Sequence, residues 1–154
     1  MKVKLAEALQ ERADLQRQIN QLRSRAMSAA LMQEGSEPLE NPESLFTELE
    51  SLYQRLEHLI YSINMTNSRS MLEGKPVTWY LSRRDILNLK IRNCRDILDV
   101  ARTSNMRARG GEIKILPAVD IKAHQQKLDI LCSELRKVDN SIQQFNWSAD
   151  LIEE

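Results

Sequence analysis

The sequence predicts an all-α protein built from long antiparallel helices with heptad packing, a four-helix bundle or coiled coil. Three observations predict it. Apolar residues recur at alternating steps of three and four through four long stretches, the repeat that keeps one helical stripe facing another helix. The 4 glycines and 4 prolines fall between those stretches or at their ends. The chain is 29% charged and only 5% aromatic, a mix that suits long helices better than a sheet core. At 154 residues it is expected to form a single helical domain, 1–154.

The first helix is expected over residues 2–33. Leu5, Ala8, Arg12, Leu15, Ile19, Leu22, Ala26 and Ala29 form a seam broken by one arginine. The segment from Ala26 to Met32 is small and apolar, so a second helix can approach closely there. Gly35 and Pro38 punctuate a polar loop.

The second helix, 42–68, opens on Asn41 as N-cap with Pro42 at the first helical position. Asn41 accepts a bond from an orphan N–H, and Pro42 has no N–H to leave unsatisfied. Leu45, Leu49, Leu52, Leu56, Leu59 and Ile63 make its seam. Phe46, Tyr53 and Ile60 add a second row seven residues apart, which predicts contact with more than one neighbour. Glu73-Gly74-Lys75-Pro76 reads as a turn.

The third helix is expected over 78–102, with Tyr80, Arg84, Leu87, Ile91, Cys94, Leu98 and Ala101 in register and Trp79, Ile86, Ile97 and Val100 flanking. Gly110-Gly111 marks a hinge, and the brief alternation near 112–116 predicts a short β-strand that needs a partner to be stable. The fourth helix, 119–145, starts on Asp120 as N-cap and carries the cleanest seam: Ile121, His124, Leu128, Leu131, Leu135, Val138, Ile142 and Phe145. Trp147 is expected to fold back into cover, and Glu153-Glu154 to fray.

Charge and hydropathy exclude several functions. Lys and Arg total 22, as do Asp and Glu, so the basic excess that general nucleic-acid binding and polybasic membrane attachment require is missing. No window approaches the roughly 18 apolar residues of a membrane-spanning helix. The N-terminal residues carry charges every few positions and do not resemble a signal peptide. Cys94 and Cys132 are therefore read as reduced cytoplasmic thiols, and the Asn-x-Ser/Thr matches at Asn64 and Asn146 as chance.

No catalytic set stands out. His58 and His124 lack partners at metal-ligand spacing, and the Glu-x-x-His repeats of di-iron bundles are missing, so neither metal nor cofactor is expected. Cys94 takes a seam position and reads as a small hydrophobe. No Cys-x-x-Cys motif or phosphate loop is present. Arg12, Arg84 and His124 interrupt apolar seams; they either pair with carboxylates and fix register or face a cavity and bind an anion. Arg102, Arg107, Arg109 and Lys114 cluster around the Gly-Gly hinge, a solvated loop or a contact for a phosphate-bearing partner.

Several segments carry a family resemblance: Lys4-Leu5-Ala6-Glu7-Ala8-Leu9-Gln10-Glu11-Arg12-Ala13-Asp14-Leu15, Gln33-Glu34-Gly35, Ile63-Asn64-Met65-Thr66-Asn67, Ser82-Arg83-Arg84-Asp85, Glu112-Ile113-Lys114, Pro117-Ala118-Val119-Asp120 and Gln144-Phe145-Asn146-Trp147. In this order they resemble the septicolysin-like family of small bacterial helical proteins. The resemblance implies an all-helical fold without established enzyme activity and, from the family name, a pore-forming cytolysin. Its matched polar residues, Arg12, Asn64, Asn67, Arg83, Arg84, Asp85 and Glu112, together with Trp147, are the candidates for a ligand-binding site.

The sequence is thus expected to encode a non-enzymatic helical interaction or scaffold protein that forms a homo-oligomer, with another protein partner left open. A membrane-active cytolysin and an enzyme working in a polar inter-helix cleft are the alternatives.

Overall fold

The computed structural model describes residues 2–103, 111 and 113–154. The chain is all-α with one short hairpin: α1 Leu5–Ala29, α2 Pro42–Arg69, β1 Met71–Leu72, β2 Lys75–Pro76, α3 Val77–Ala101 and α4 Ile121–Ser148. It divides into two compact units, one made of residues 1–70 with 145–154 and the other of residues 71–144.

In the first unit α1 and α2 form an antiparallel hairpin. Its seam is the expected one: Leu5, Ala8, Leu15, Leu22, Ala26 and Ala29 are buried along α1, and Leu45, Leu49, Leu59 and Ile63 along α2. Near the connecting loop, Leu22, Ala26 and Ala29 pack on Leu45 and Leu49, with Ile19 and Leu52 at the margin. The two alanines leave room for the leucines opposite. Asn41 caps α2 as expected, its Oδ1 accepting from the Glu43 N–H at 3.0 Å. Arg55 holds Glu11 in a two-point contact across the hairpin, Nε–Oε1 2.7 Å and Nη2–Oε2 2.9 Å. The helix is shorter than the heptad pattern suggested: α1 stops at Ala29, and Leu31 and Met32 beyond it are exposed. Arg25 ties the loop back by donating from Nε to Glu40 Oε2 at 3.0 Å.

The tail closes this unit. Leu5 N–H donates to the Ala149 carbonyl at 2.9 Å and Leu151 N–H to the Val3 carbonyl at 2.8 Å, an antiparallel bridge centred on Lys4 and Asp150. Lys4 Nζ reaches Asp150 Oδ1 at 2.8 Å. Thr66, fully buried, donates to the Ser62 carbonyl and accepts from the Ile152 N–H, both at 2.8 Å. One side-chain hydroxyl thereby satisfies two backbone groups. Glu154 is not frayed: its carboxylate meets Arg69 Nη1 at 2.5 Å. Trp147 is not folded back either. The helical pattern persists to Ser148, so Trp147 stays on α4 and is 65% exposed.

In the second unit α3 and α4 run antiparallel. Ile91, Leu98 and Leu128 form the buried centre, with Cys94, Ile121, Leu131, Cys132 and Leu135 packed against it. Both thiols behave as small apolar groups here. Asp120 caps α4, its Oδ1 accepting from the Ala123 N–H at 3.0 Å. The strands lie where only a turn was expected. Met71 pairs with Pro76 and Leu72 with Lys75, around a two-residue turn in which Glu73 and Gly74 have φ of 49° and 82°. Two positive φ values match the twist of a tight hairpin. Lys75 Nζ then sits 3.8 Å above the Trp79 ring, which pins the hairpin to the first turn of α3. Of the strand expected near 112–116, Glu112 lies outside the described residues; Lys114 forms a single β-bridge, and 113–116 belong to no multi-residue strand.

Two predictions follow from these contacts. Leu59 is 1% exposed and Leu31 87% exposed. Leu59→Ala should therefore lower stability by about 2–5 kcal/mol, seen as a lower urea midpoint with unchanged slope, while Leu31→Ala should move it by less than about 0.5 kcal/mol. The hydrogen bond and charge of Lys4 hold the Asp150 carboxyl below the usual aspartate range. A depressed folded-state value means that Asp150 contributes stability fully above the unfolded aspartate range and loses it as the pH falls through the folded value. Lys4→Gln should raise the Asp150 midpoint in an NMR titration.

Candidate interaction surfaces

The polar residues singled out by sequence are distributed over both units. Arg12 is half-buried on α1 and has no carboxylate partner among the described residues. Asn64 is exposed and Asn67 half-buried on α2, and neither makes a side-chain hydrogen bond among the described residues. On α3, Arg83 donates to Glu134 Oε2 at 2.7 Å, a bridge to α4. Arg84 Nε lies 3.8 Å from Asp85 Oδ1, and Asp85 is exposed. Glu112, Arg107 and Arg109 lie outside the described residues. Of the basic cluster expected near the hinge, Arg102 turns back along its own unit to Gln125 Oε1 at 2.5 Å. His124, on the α4 seam, is half-buried, and its backbone carbonyl faces the Cys94 thiol at 3.9 Å.

A different group of residues forms the largest depression described. Between α3 and α4 runs a groove of about 630 Å³ lined by Asn88, Ile91, Arg92, Arg95, Asp96, Cys132, Leu135 and Arg136. Ile91, Leu135 and Cys132 make an apolar floor, and the guanidinium groups stand at its edges. Arg92 and Arg95 are three apart on α3, so they share a face. The α3–α4 register then brings Arg136 to the same groove. Sequence reading missed all three because they lie off the apolar seams and Arg136 is remote in the chain. The spacing of Arg92 and Arg95 was the one available signal.

A second kind of surface is apolar. Phe46, Tyr53 and Ile60, expected to meet a further neighbour, are 51%, 47% and 36% exposed on α2. Among the described residues nothing covers them fully. On α3, Trp79, Ile86, Ile97 and Val100 are also exposed. Among the described residues no helix is long and apolar enough to cross a membrane, and no three His, Cys, Asp or Glu side chains group as metal ligands would.

The sequence matches the family of unknown function DUF6847 over residues 12–151. The chain belongs to that family. This overturns the septicolysin-like resemblance, since neither the family match nor the structural likeness points that way. The segments that carried it are short, and most are only three to five residues long, a length at which chance matches between unrelated chains are common. The chain is also similar to a solved structure, described as a functionally unknown conserved protein from Corynebacterium diphtheriae. The TM-score is 0.91 at 35% identity, covering 99% of this chain and 100% of that one. No functionally curated protein matches. The DUF6847 match and this likeness leave the function unknown, and neither indicates pore formation or catalysis.

Proposed function

We propose that this DUF6847 member is a non-enzymatic helical scaffold that associates with a second copy of itself. The exposed row Phe46, Tyr53 and Ile60 carries this reading. Large apolar side chains at a strict spacing of seven are what a helix presents to another helix. Aromatic anchors of this kind dominate the energetics of protein interfaces.

Two features favour a copy of the same chain as the partner. The net charge is zero, so copies meet without long-range repulsion. The α2 row is also interleaved by Glu50 and Glu57, whereas Lys75 and Lys90 lie beside the exposed apolar row of α3. The acidic apolar face of one copy therefore complements the basic apolar face of another. Complementary charge of this kind fixes register more than it adds affinity.

Light scattering behind a sizing column tests the reading. A mass of at least twice the 17.9 kDa of one chain at micromolar concentration is expected. Phe46→Glu with Tyr53→Glu should then give a monomer of unchanged helical circular dichroism, because both positions are about half exposed in the single chain. A wild-type monomer across that range would overturn it.

A further inference from the structure

The groove between α3 and α4 has a chemistry that self-association does not use. Arg17, Arg25, Arg55, Arg69, Arg83, Arg84 and Arg102 each have a carboxylate within 4 Å. Among the described residues, Arg92, Arg95 and Arg136 have none, although Asp96 lines the same groove. Arg12 and Arg23 also lack a carboxylate, but they stand singly on separate turns of α1. The nearest polar contact of the groove arginines is from Arg95 Nη2 to Cys132 Sγ, at 3.7 Å. Three arginines against one aspartate leave a local formal charge of +2 in a chain whose net charge is zero. Three like charges around one depression repel each other, and the single Asp96 offsets this only in part.

We infer that the groove binds a small organic phosphate. The guanidinium fork matches phosphate oxygens two at a time, and forks from two helices can hold one anion from opposite sides. Asn88, one turn before Arg92, adds an amide donor. The floor of Ile91, Leu135 and Cys132 offers an apolar rest for the body of the ligand. A concave site with low-dielectric walls concentrates the field of its charges, which raises the local concentration of an anion. The groove also lies on the opposite side of α3 from Ile86, Ile97 and Val100, so binding does not compete with packing through that row.

Calorimetric titration of the full chain with inorganic pyrophosphate, in buffer of low ionic strength, tests this. One saturable site per chain is expected. Arg92→Ala, Arg95→Ala and Arg136→Ala should each weaken it by about ten-fold, the loss of one charge-assisted contact, while Arg17→Ala on α1 should leave it unchanged. Arg95→Lys should fall between, because it keeps the charge and loses the fork. Bound pyrophosphate should also slow alkylation of Cys132 by iodoacetamide in a Cys94→Ser background, a readout that a diffuse attraction would not move. Co-flotation with vesicles containing phosphatidic acid, lost in Arg136→Ala, would place the phosphate on a lipid head group; pyrophosphate binding without flotation would place it on a soluble ester. No saturable binding, or binding indifferent to all three arginines, would overturn the inference.

Discussion

Two backbone hydrogen bonds between opposite ends of the chain hold the first unit together. Leu5 to Ala149 and Leu151 to Val3 join the start of α1 to the segment after α4. Around them lie the Lys4–Asp150 pair, the Thr66 hydroxyl that receives Ile152, and the Arg69–Glu154 contact. Individually these are modest: exposed ion pairs contribute about 0–1 kcal/mol. Together they seat Leu151 against the buried ends of α1 and α2, where Leu5 and Ile63 are almost fully covered. Thr66 matters most among the side chains. A buried hydroxyl that serves two backbone groups takes a bond from both if it is lost, whereas Ser62 one turn earlier has a buried hydroxyl without a hydrogen-bond partner among the described residues.

The rest of the molecule is organised by contrast between its seams and its outer faces. The inward stripes are narrow, two residues per heptad, and the leucines on them are well covered. The outward faces keep what a self-sufficient small protein usually discards: aromatic residues on α2, a tryptophan and branched aliphatics on α3, and unpaired arginines above an apolar groove. Such surfaces weaken solubility and add nothing to the stability of a lone chain. Exposed apolar and charged surfaces of this kind are where a protein can meet something else.

Much of the fold was legible in the sequence. Every apolar seam residue from Leu5 to Phe145 is buried or half-buried, because a three-four alternation admits one orientation for a helix against its neighbour. The caps at Asn41 and Asp120 were legible for the same kind of reason, since only short polar side chains reach the orphan N–H groups. Helix ends were less so. Leu31 and Met32 continue the apolar texture without a partner to bury them, and Trp147 continues a helix that hydrophobicity suggested should end. The hairpin at Met71–Pro76 was hidden because two-residue strands have no periodicity. The arginine groove was hidden more deeply: it depends on which turn of α4 lies opposite Arg92, a fact about tertiary register that no local pattern encodes.

The first unit is discontinuous, and this bears on how it folds. Residues 71–144 are contiguous, so the second unit has all its parts in one stretch of chain. The first unit is begun earlier and completed later, because residues 145–154 supply its closing segment. Domains usually fold in the order of their synthesis. Here the pairing of α1 with α2 is local in the chain, whereas the contacts that residues 145–154 make with it span the whole intervening unit, and contacts of large sequence separation are slow to form.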